Sequence, residues 1–376
     1  MLRIGIVAGE ASGDILGGLL VQALKQKRSD IEFVGIAGPK MMREGVQSLF
    51  PIERLSVRGY LEVIKHAYGL IRIRQQLIKH FLNHRVDIFI GIDAPDFNFY
   101  LEKKLKKHGV KTLHYVSPSI WAWRKNRVHK IKRAVSHMLT LFPFESEIYQ
   151  QAGVPVTYVG HPLADSMPME PDTAAARAVL RLKPNDLVVA MLPGSRQSEV
   201  GQHAALFIQT VKILHTDYPH AIFLVPFVTR ESKQIFELAL FHEQQALPIQ
   251  ILFGHAHDAM QASDVVIVAS GTATLEAALL KKPMVITYRM PSLSWRLLKR
   301  MHLQHFVGLP NILAGKSIVP ELLQHQATPE KLAAAAIAML GNTQAIAEMK
   351  AEFTKMHISL KQNNAEKIAT LILSDF

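Results

Sequence analysis

The sequence predicts an α/β protein made of two doubly wound domains, each built on a parallel sheet. Short apolar runs alternate with helical patterns along most of the chain, and small-residue turns follow several of these runs. The alternation weakens once, across the Pro- and Met-containing stretch Met167–Thr173. We therefore expect an N-terminal domain at 1–165, a second domain at 166–344, and C-terminal helices at about 345–376, for which the sequence leaves open whether they pack back on the first domain.

Apolar runs predict the strands of both domains. In the first half they are Arg3–Gly9, Glu32–Gly38, Asp87–Asp93, Lys111–Ser117, His137–Phe142 and Val156–Gly160. In the second half they lie at 187–192, 221–227, 249–254, 264–270 and 283–288. Ligands of open α/β sheets bind beyond the carboxyl ends of the strands. With two such domains facing each other, we expect the active site in the cleft between them.

Composition narrows the functional class. The chain has 376 residues, of which 49% are hydrophobic, enough for two domains with sizeable cores. It has no cysteine, which excludes disulfides, thiolate metal sites and cysteine nucleophiles. No apolar run is long enough to span a bilayer, and the N-terminal residues lead straight into a strand. We therefore expect no membrane-spanning helix, no signal peptide and a cytoplasmic location.

Positive charge is concentrated in the first half of the chain. Residues 1–165 carry 24 Lys and Arg against 14 Asp and Glu, whereas residues 166–376 carry 19 against 17. From Lys103 to Arg133 there are eleven basic residues and no acidic one. Such an excess of positive charge favours an anionic partner. This partner could be nucleic acid, an anionic membrane or a phosphorylated lipid, and the charge alone does not distinguish them.

Two segments have the pattern of basic amphipathic helices, Tyr60–Leu82 and Ser292–Leu303. Apolar side chains at helical spacing are interleaved there with Lys and Arg, and the second segment adds Trp295. This pattern suits a helix that lies in a membrane interface. The alternative is that both helices only cover the sheets.

The stretch Leu187–Gly201 combines an apolar strand, the turn Pro193-Gly194-Ser195 and a helix that begins just after Arg196. A strand, a glycine turn and a helix aim backbone N–H groups and the positive end of the helix at an anion. A guanidinium at that place adds charge-assisted hydrogen bonds to a phosphate. We interpret the turn as a phosphate site, with an ordinary turn and a solvated arginine as the alternative.

A second stretch, Asp264–Leu280, repeats this arrangement with the turn Ser270-Gly271-Thr272. Glu276 is expected in the first turn of the following helix, where an acid stabilises the helix dipole. Its functional alternative is to accept hydrogen bonds from ribose hydroxyls. The two turns together predict one site for a nucleoside diphosphate.

Carboxylates follow two of the predicted strands in the first half. The turn from Gly9 to Asp14 lacks the glycine fingerprint of dinucleotide sites, and its acids Glu10 and Asp14 also fit the start of a helix. Asp93 ends an apolar strand, where a buried carboxylate can act as a general base. Asp96 fits the first turn of a helix. The histidines are scattered and predict no metal site.

Motifs in order along nearly the whole chain resemble those of the lipid-A-disaccharide synthases. They are AGEASGD (8–14), GIDAPDFN (91–98), YVSPSIWAW (115–123), GHPL (160–163), LPGSRQSEV (192–200), ASGTATLEAAL (269–279) and LPNILAG (309–315). The resemblance implies an inverting glycosyltransferase of the GT-B type, with two Rossmann-like domains. The implied reaction transfers 2,3-diacylglucosamine from UDP-2,3-diacylglucosamine to the 6-hydroxyl of 2,3-diacylglucosamine 1-phosphate (lipid X). Its products are UDP and the β-1,6-linked disaccharide 1-phosphate, a lipid A precursor for the lipopolysaccharide of Gram-negative bacteria.

The resemblance also implies roles for individual residues. Asp93 is the base that takes the proton of the acceptor hydroxyl, and the acceptor side is lined by Glu10, Ser12 and Asp96. UDP is held by Gly194, Ser195, Arg196, Ser270, Gly271, Thr272, Glu276 and Asn311. Arg196 offsets the charge of the departing diphosphate, so neither a metal nor a cofactor is expected.

The implied enzyme is a peripheral protein on the cytoplasmic face of the inner membrane. It binds its two lipid substrates and no nucleic acid. A homodimer is possible under this resemblance but is not implied by it. Val57-Arg58-Gly59-Tyr60 is less apolar than the family pattern, so the segment that touches the membrane also stays open. Two other functions remain as alternatives. One is a UDP-sugar epimerase of the same fold, and the other is a non-catalytic binder of nucleic acid or anionic membrane that uses the basic 103–133 segment.

Overall fold

The computed structural model describes residues 1–55, 60–123, 127–243, 246–291, 295 and 305–376, with the backbone alone at 60–67, 122 and 123. These residues form two compact units. The first unit contains Met1–Asp165 and Leu360–Phe376, and the second contains Ser166–Ser359. Each unit has its own parallel sheet with helices between the strands, which confirms the predicted α/β class.

The strands of the first unit, so far as the chain is described, form one parallel sheet. They are β1 (Leu2–Ala8), β2 (Ile31–Ala37), β3 (Gln47–Pro51), β4 (Ile88–Ile92), β5 (Lys111–Tyr115), β6 (His137–Thr140) and β7 (Val156–Tyr158). Their order in the sheet is β3-β2-β1-β4-β5-β6-β7. All five residues of β4 are buried, as expected for a parallel strand covered by helices on both faces.

Helices alternate with these strands. Those described up to residue 166 are α1 (Ala11–Lys27), α2 (Pro39–Arg43), α3 (Tyr60–Asn83), α4 (Pro95–Lys107), α5 (Ile120–Trp123), α6 (Val128–Ala134), α7 (Pro143–Gln151) and α8 (Pro162–Ser166). Proline at the first position starts α4, because its fixed φ suits a helix and the missing N–H has no intrahelical partner there. The same residue type starts α7, where Glu145 also accepts the N–H of Phe142 at 3.1 Å.

The second unit has the same kind of sheet. Its described strands are β8 (Val188–Leu192), β9 (Ile222–Phe227), β10 (Ile249–Phe253), β11 (Val265–Ala269), β12 (Met284–Tyr288) and β13 (Glu321–Leu323), in the spatial order β10-β9-β8-β11-β12-β13. Its described helices are α9 (Thr173–Val179), α10 (Gln197–Asp217), α11 (Arg230–Phe241), α12 (Ala256–Ala262), α13 (Thr272–Leu279), α14 (Leu309–Ala314), α15 (Pro329–Gly341) and α16 (Thr343–Leu360). When the strands are numbered from the start of each unit, the second sheet has the order 3-2-1-4-5-6 that typifies Rossmann folds. The first sheet has the same order with a seventh strand added at its edge.

The last helix, α17 (Asn364–Asp375), belongs to the first unit. Asp165 holds its start, because the Asp165 carboxylate accepts the three backbone N–H groups of 362–364 at 2.7–3.0 Å. The side chain of Asn364 accepts the hydroxyl of Tyr115 and donates to the carbonyl of Gly160 at 2.9 Å. The apolar face of α17 enters the core of the first unit through Ile368, Ala369 and Ile372.

The sequence prediction missed two strands, β3 and β13. Both lie at the edge of their sheets, and no residue of either strand is fully buried. β3 has the polar residues Gln47 and Ser48, and β13 has only three residues, so neither forms an apolar run. Among the helices of the described residues, none combines the length and the apolar character needed to cross a membrane.

Candidate active site

The predicted site residues follow the central strands of the two sheets. In the first sheet β1 and β4 are neighbours, and the chain continues from β1 to β2 on one side and from β4 to β5 on the other. Such a reversal is a topological switch point, where the connections diverge and leave a crevice at the carboxyl ends of the strands. β8 and β11 have the same relation in the second sheet. Acceptor-side candidates follow β1 and β4, and the UDP-side candidates except Asn311 follow β8 and β11.

Asp93 is the first residue after β4 and has a left-handed backbone with φ of 53°. Its N–H donates to the carbonyl of Tyr115 at 2.9 Å, and its side chain is partly exposed. The expectation of a buried carboxylate was therefore wrong, because the strand ends at Ile92 and the chain turns at Asp93 and Ala94. A general base must reach the proton that it abstracts, and partial exposure allows this contact.

Glu10 directly precedes α1, Ser12 is the second residue of this helix, and both are exposed. Their turn packs closely against the turn that carries Asp93. A Cβ atom on Gly9 would lie 2.3 Å from the Cβ atom of Ala94, so only a glycine permits this approach. The structure thus brings the two predicted acceptor-side turns together.

Two other acids near these turns have partners within the first unit. Asp14 is 3% exposed, and its carboxylate accepts the N–H groups of residues 38, 40 and 41 at 2.9–3.0 Å. Its role is structural, because it holds the start of α2. Asp96, predicted on the acceptor side, lies in the first turn of α4 and forms an ion pair with Arg127, while its side chain is 86% exposed.

On the UDP side, the turn after β8 already binds a carboxylate. Gly194 has φ of 127°, a conformation that glycine adopts without strain. The carboxylate of Glu199 accepts the N–H of Ser195 at 3.1 Å and that of Arg196 at 3.2 Å. It also accepts from the guanidinium of Arg196 at 2.9 Å. The turn predicted to bind phosphate therefore has the polarity of an anion site.

Sequence reasoning assigned no role to Glu199, although the sequence carries its signal. Glu199 lies three residues after Arg196, the last residue before the helix. An acid at this position is the second half of a capping box, in which the side chain reaches back to the free N–H groups at the helix start.

His203 connects the same turn to the end of β12, and sequence reasoning missed it as well. The fully buried ring bonds through Nδ1 to the carbonyl of Pro193 and through Nε2 to the N–H of Arg289, both at 2.8 Å. Because Nε2 accepts, Nδ1 carries the proton and the ring is neutral. Burial lowers the pKa of His203 and so favours this neutral state.

The turn after β11 begins with Ser270, whose hydroxyl donates to the carbonyl of Val307 at 2.9 Å. Gly271 and Thr272 are exposed at the start of α13. Thr274, in contrast, is buried and donates to the carbonyl of Gly271 at 2.8 Å. Of the two threonines, Thr272 is therefore the one placed at the surface, as a ligand contact requires.

Glu276 lies in the second turn of α13, and its predicted place in the first turn was wrong because the helix begins at Thr272. At that depth it does not stabilise the start of the helix. Burial raises the pKa of Glu276, and the charge of His257 on α12 partly offsets this effect. The helix-dipole explanation of Glu276 is therefore excluded, while a ribose contact stays a prediction.

Asn311 is fully buried, and its amide is occupied inside the second unit. Its Oδ1 accepts the N–H groups of 318–319 at 2.8 and 3.0 Å, and its Nδ2 donates to Glu321 at 2.8 Å. Glu321 also accepts the N–H groups of 307–308, the segment that Ser270 contacts. Asn311 is therefore connected to the turn after β11 indirectly: it bonds to Glu321, Glu321 bonds to the 307–308 segment, and Ser270 of the turn bonds to the carbonyl of Val307.

Histidine and acid side chains are the protein groups that could hold a metal ion in a chain without cysteine. Within the described parts of the chain, no three of them are grouped so that they could hold a metal ion. His161 of the GHPL motif is 8% exposed and stacks on Phe142, and burial lowers its pKa to about 4. It is therefore a structural histidine.

The membrane-facing predictions fall largely outside the described residues. Of Ser292–Leu303 the structure describes Trp295 alone. In Tyr60–Leu82 side chains are described from Tyr68 onward, and Val57-Arg58-Gly59 lies outside the described chain.

Solved structures share the fold at low sequence identity. A UDP-GlcNAc 2-epimerase from Neisseria meningitidis, bound to UDP-GlcNAc, has a TM-score of 0.65 and 11% identity over 99% of both chains. A calicheamicin glycosyltransferase has a TM-score of 0.62 and 10% identity, covering 100% of this chain and 99% of its own. At these identities the similarity shows the fold alone, which has two Rossmann-like parallel sheets in one chain.

Sequence comparison identifies the family. A lipid-A-disaccharide synthase from Methylobacillus flagellatus is 63% identical over 375 residues, which cover 100% of this chain and 99% of that protein. The family described as lipid-A-disaccharide synthetase matches residues 4–375. The chain therefore belongs to the lipid-A-disaccharide synthase family.

Proposed function

We propose that this chain transfers 2,3-diacylglucosamine from UDP-2,3-diacylglucosamine to the 6-hydroxyl of lipid X, with inversion at the anomeric carbon. The observation that carries the proposal is family membership over residues 4–375, with a named synthase at 63% identity. The epimerase alternative has support from the fold alone, since the epimerase structure shares 11% identity. The first domain serves the acceptor and the second serves UDP.

Asp93 is the base in this reaction. Its carboxylate accepts the proton of the acceptor 6-hydroxyl while the hydroxyl oxygen bonds to the anomeric carbon of the donor. The bond between that carbon and the diphosphate breaks, and its electron pair leaves with UDP. Attack opposite the leaving group gives the β-1,6 linkage. Glu10, Ser12 and Asp96 contact the acceptor near this carboxylate.

UDP binds at the turns after β8 and β11. The guanidinium of Arg196 receives the diphosphate, because a cationic donor at this turn stabilises the charge that develops as UDP leaves. Thr272 and Glu276 contact the nucleoside, and Glu276 accepts from the ribose hydroxyls.

The enzyme works as a peripheral protein on the cytoplasmic face of the inner membrane. Support comes from the described part of α3, where Tyr68 is 79% exposed and Ile71 is 44% exposed. Arg72 beside them is exposed, and the guanidinium of Arg74 lies 4.0 Å from the ring centre of Tyr100 on α4. Exposed apolar and aromatic groups next to cations suit the headgroup region of an anionic bilayer.

The test is UDP release from UDP-2,3-diacylglucosamine in detergent, with and without lipid X, and with EDTA present. Release that depends on lipid X and survives EDTA is expected. Release without acceptor would indicate hydrolysis or epimerase-like chemistry, and folded protein without turnover would favour a binding module.

A further inference from the structure

The turn that carries Asp93 is held from behind by a buried amide. Asn98 lies in the first turn of α4 and is fully buried. Its Nδ2 donates to the carbonyl of Asp93 at 2.8 Å and lies 3.5 Å from the carbonyl of Val7 in β1. One side chain therefore spans both strands of the switch point and contacts the candidate base through its backbone.

This turn needs such support. Asp93 and Ala94 have φ values of 53° and 44°, a left-handed conformation that residues with a Cβ atom rarely adopt. Consecutive residues in this region persist only where the surrounding structure fixes them. A hydrogen bond to the carbonyl of Asp93 restrains the peptide that follows this residue, and with it the direction in which the carboxylate leaves the chain.

A second buried layer lies next to Asn98. Glu102, one helical turn later on α4, bonds to Nδ1 of His114 on β5 at 2.7 Å, and both side chains are fully buried. A Cβ atom on Gly91 would lie 2.3 Å from the Glu102 carboxylate and 3.0 Å from Asn98, so glycine at this position of β4 makes room for both.

The cluster also buries polar atoms that have no partner within the described protein. Asn98 Oδ1, Glu102 Oε2 and His114 Nε2 are buried without a hydrogen-bond partner among the described residues. Each such atom lowers the stability of the fold, so an apolar cluster would hold α4 to the sheet better.

We propose that Asn98 is a positioning residue for Asp93, and that the Glu102–His114 pair keeps α4 where Asn98 can act. The proposal rests on the function proposed above, in which Asp93 is the base. Loss of the Asn98 donor frees the peptide after Asp93. A reacting group displaced by about 1 Å loses on the order of 100-fold in rate, with little effect on substrate binding.

A double-mutant cycle tests this coupling through acceptor-dependent UDP release by the full chain. We compare Asn98→Ala, Asp93→Ala and the double variant. Asn98→Ala alone should lower kcat on the order of 100-fold and leave both KM values within about twofold. In the Asp93→Ala background the same change should have almost no further effect, because the group that Asn98 positions is already gone.

Thr112→Ala is the matched control for stability. Thr112 is a fully buried polar residue of β5, and its hydroxyl donates to the carbonyl of Ala134 at 3.0 Å, away from Asp93. It should lower Tm to a similar degree and leave kcat unchanged. If Asn98→Ala does not fold, Asn98→Ser, whose hydroxyl is too short to reach the same carbonyl, enters the same cycle.

The outcomes separate the two proposals. An equal loss of kcat in both backgrounds, or a kcat within about threefold of the parent for Asn98→Ala, overturns the positioning role while the transferase stands. Full activity of Asp93→Ala removes the base assignment and the positioning role together. Absence of lipid X-dependent release in the parent chain rejects the proposed function itself.

Discussion

Arg196 should contribute to rate and hardly to stability. Its side chain is 75% exposed and pairs with Glu199 three residues later. An exposed pair of this kind contributes roughly 0.3–0.5 kcal/mol to folding. Loss of a donor aimed at developing charge lowers kcat on the order of 100-fold, about 2.7 kcal/mol of transition-state stabilisation. Arg196→Ala should therefore change kcat about 100-fold and the free energy of unfolding by less than about 1 kcal/mol.

The assay measures UDP release at saturating donor and acceptor beside urea unfolding of the same preparations. Arg196→Lys keeps the charge without the planar fork and should fall between the parent and Arg196→Ala. The matched control is Lys233→Ala, which removes an ion pair to Glu237 at 3.3 Å on α11 of the same unit and should change neither quantity. The reasoning is refuted if Arg196→Ala keeps kcat within about threefold of the parent, or if it loses stability to the degree that it loses rate.

Three further changes test other parts of the structure. Asp165→Ala should lower the free energy of unfolding of the first unit by about 2–3 kcal/mol, because the N–H groups of 362–364 lose their acceptor; an unchanged urea midpoint would contradict this. Burial lowers the pKa of His161 to about 4 in the folded chain, whereas an exposed histidine has a pKa of about 6.5. Between these two pH values His161 is protonated in the unfolded chain and neutral in the folded chain. Stability should therefore decline as pH falls from about 6.5 to about 4, less steeply in His161→Gln, and equal slopes would count against it. Glu276→Gln should raise the KM for the UDP-sugar about tenfold with a smaller change in kcat, and a pure kcat effect would oppose a ribose contact.

The fold was largely predictable because its central strands are buried on both faces. Their apolar runs, such as Val188–Leu192 and Val265–Ala269, are visible in the sequence without knowledge of any partner. β3 and β13 lack this signal, since an edge strand is covered on fewer sides and needs fewer apolar residues. The edge strands β7 and β10 also have no fully buried residue, yet both were predicted from their apolar residues. The apolar run itself, and not burial alone, therefore decided which strands the sequence revealed.

The turns of the site were predictable for a different reason. Parallel strands separated by helices place their carboxyl ends together, so small-residue turns after apolar runs indicate the site. The residues that hold these turns were not predictable in the same way. His203 acts by joining a carbonyl at Pro193 to an N–H at Arg289, two partners 96 positions apart. Such a role exists only in the folded unit.

In both units a side chain binds the backbone of the turn after a central strand, but it acts as a donor in the first unit and as an acceptor in the second. In each, a turn after a central strand leaves backbone groups without a partner, and a side chain from the first turn of the following helix binds them. Asn98 donates to a carbonyl after β4, whereas Glu199 accepts N–H groups after β8. A supporting side chain that donates therefore marks a turn with a free carbonyl, and one that accepts marks a turn with free N–H groups. The turn after β8 therefore has the polarity of an anion site, and the turn after β4, restrained through its carbonyl, leaves the carboxylate of Asp93 as the group presented to substrate.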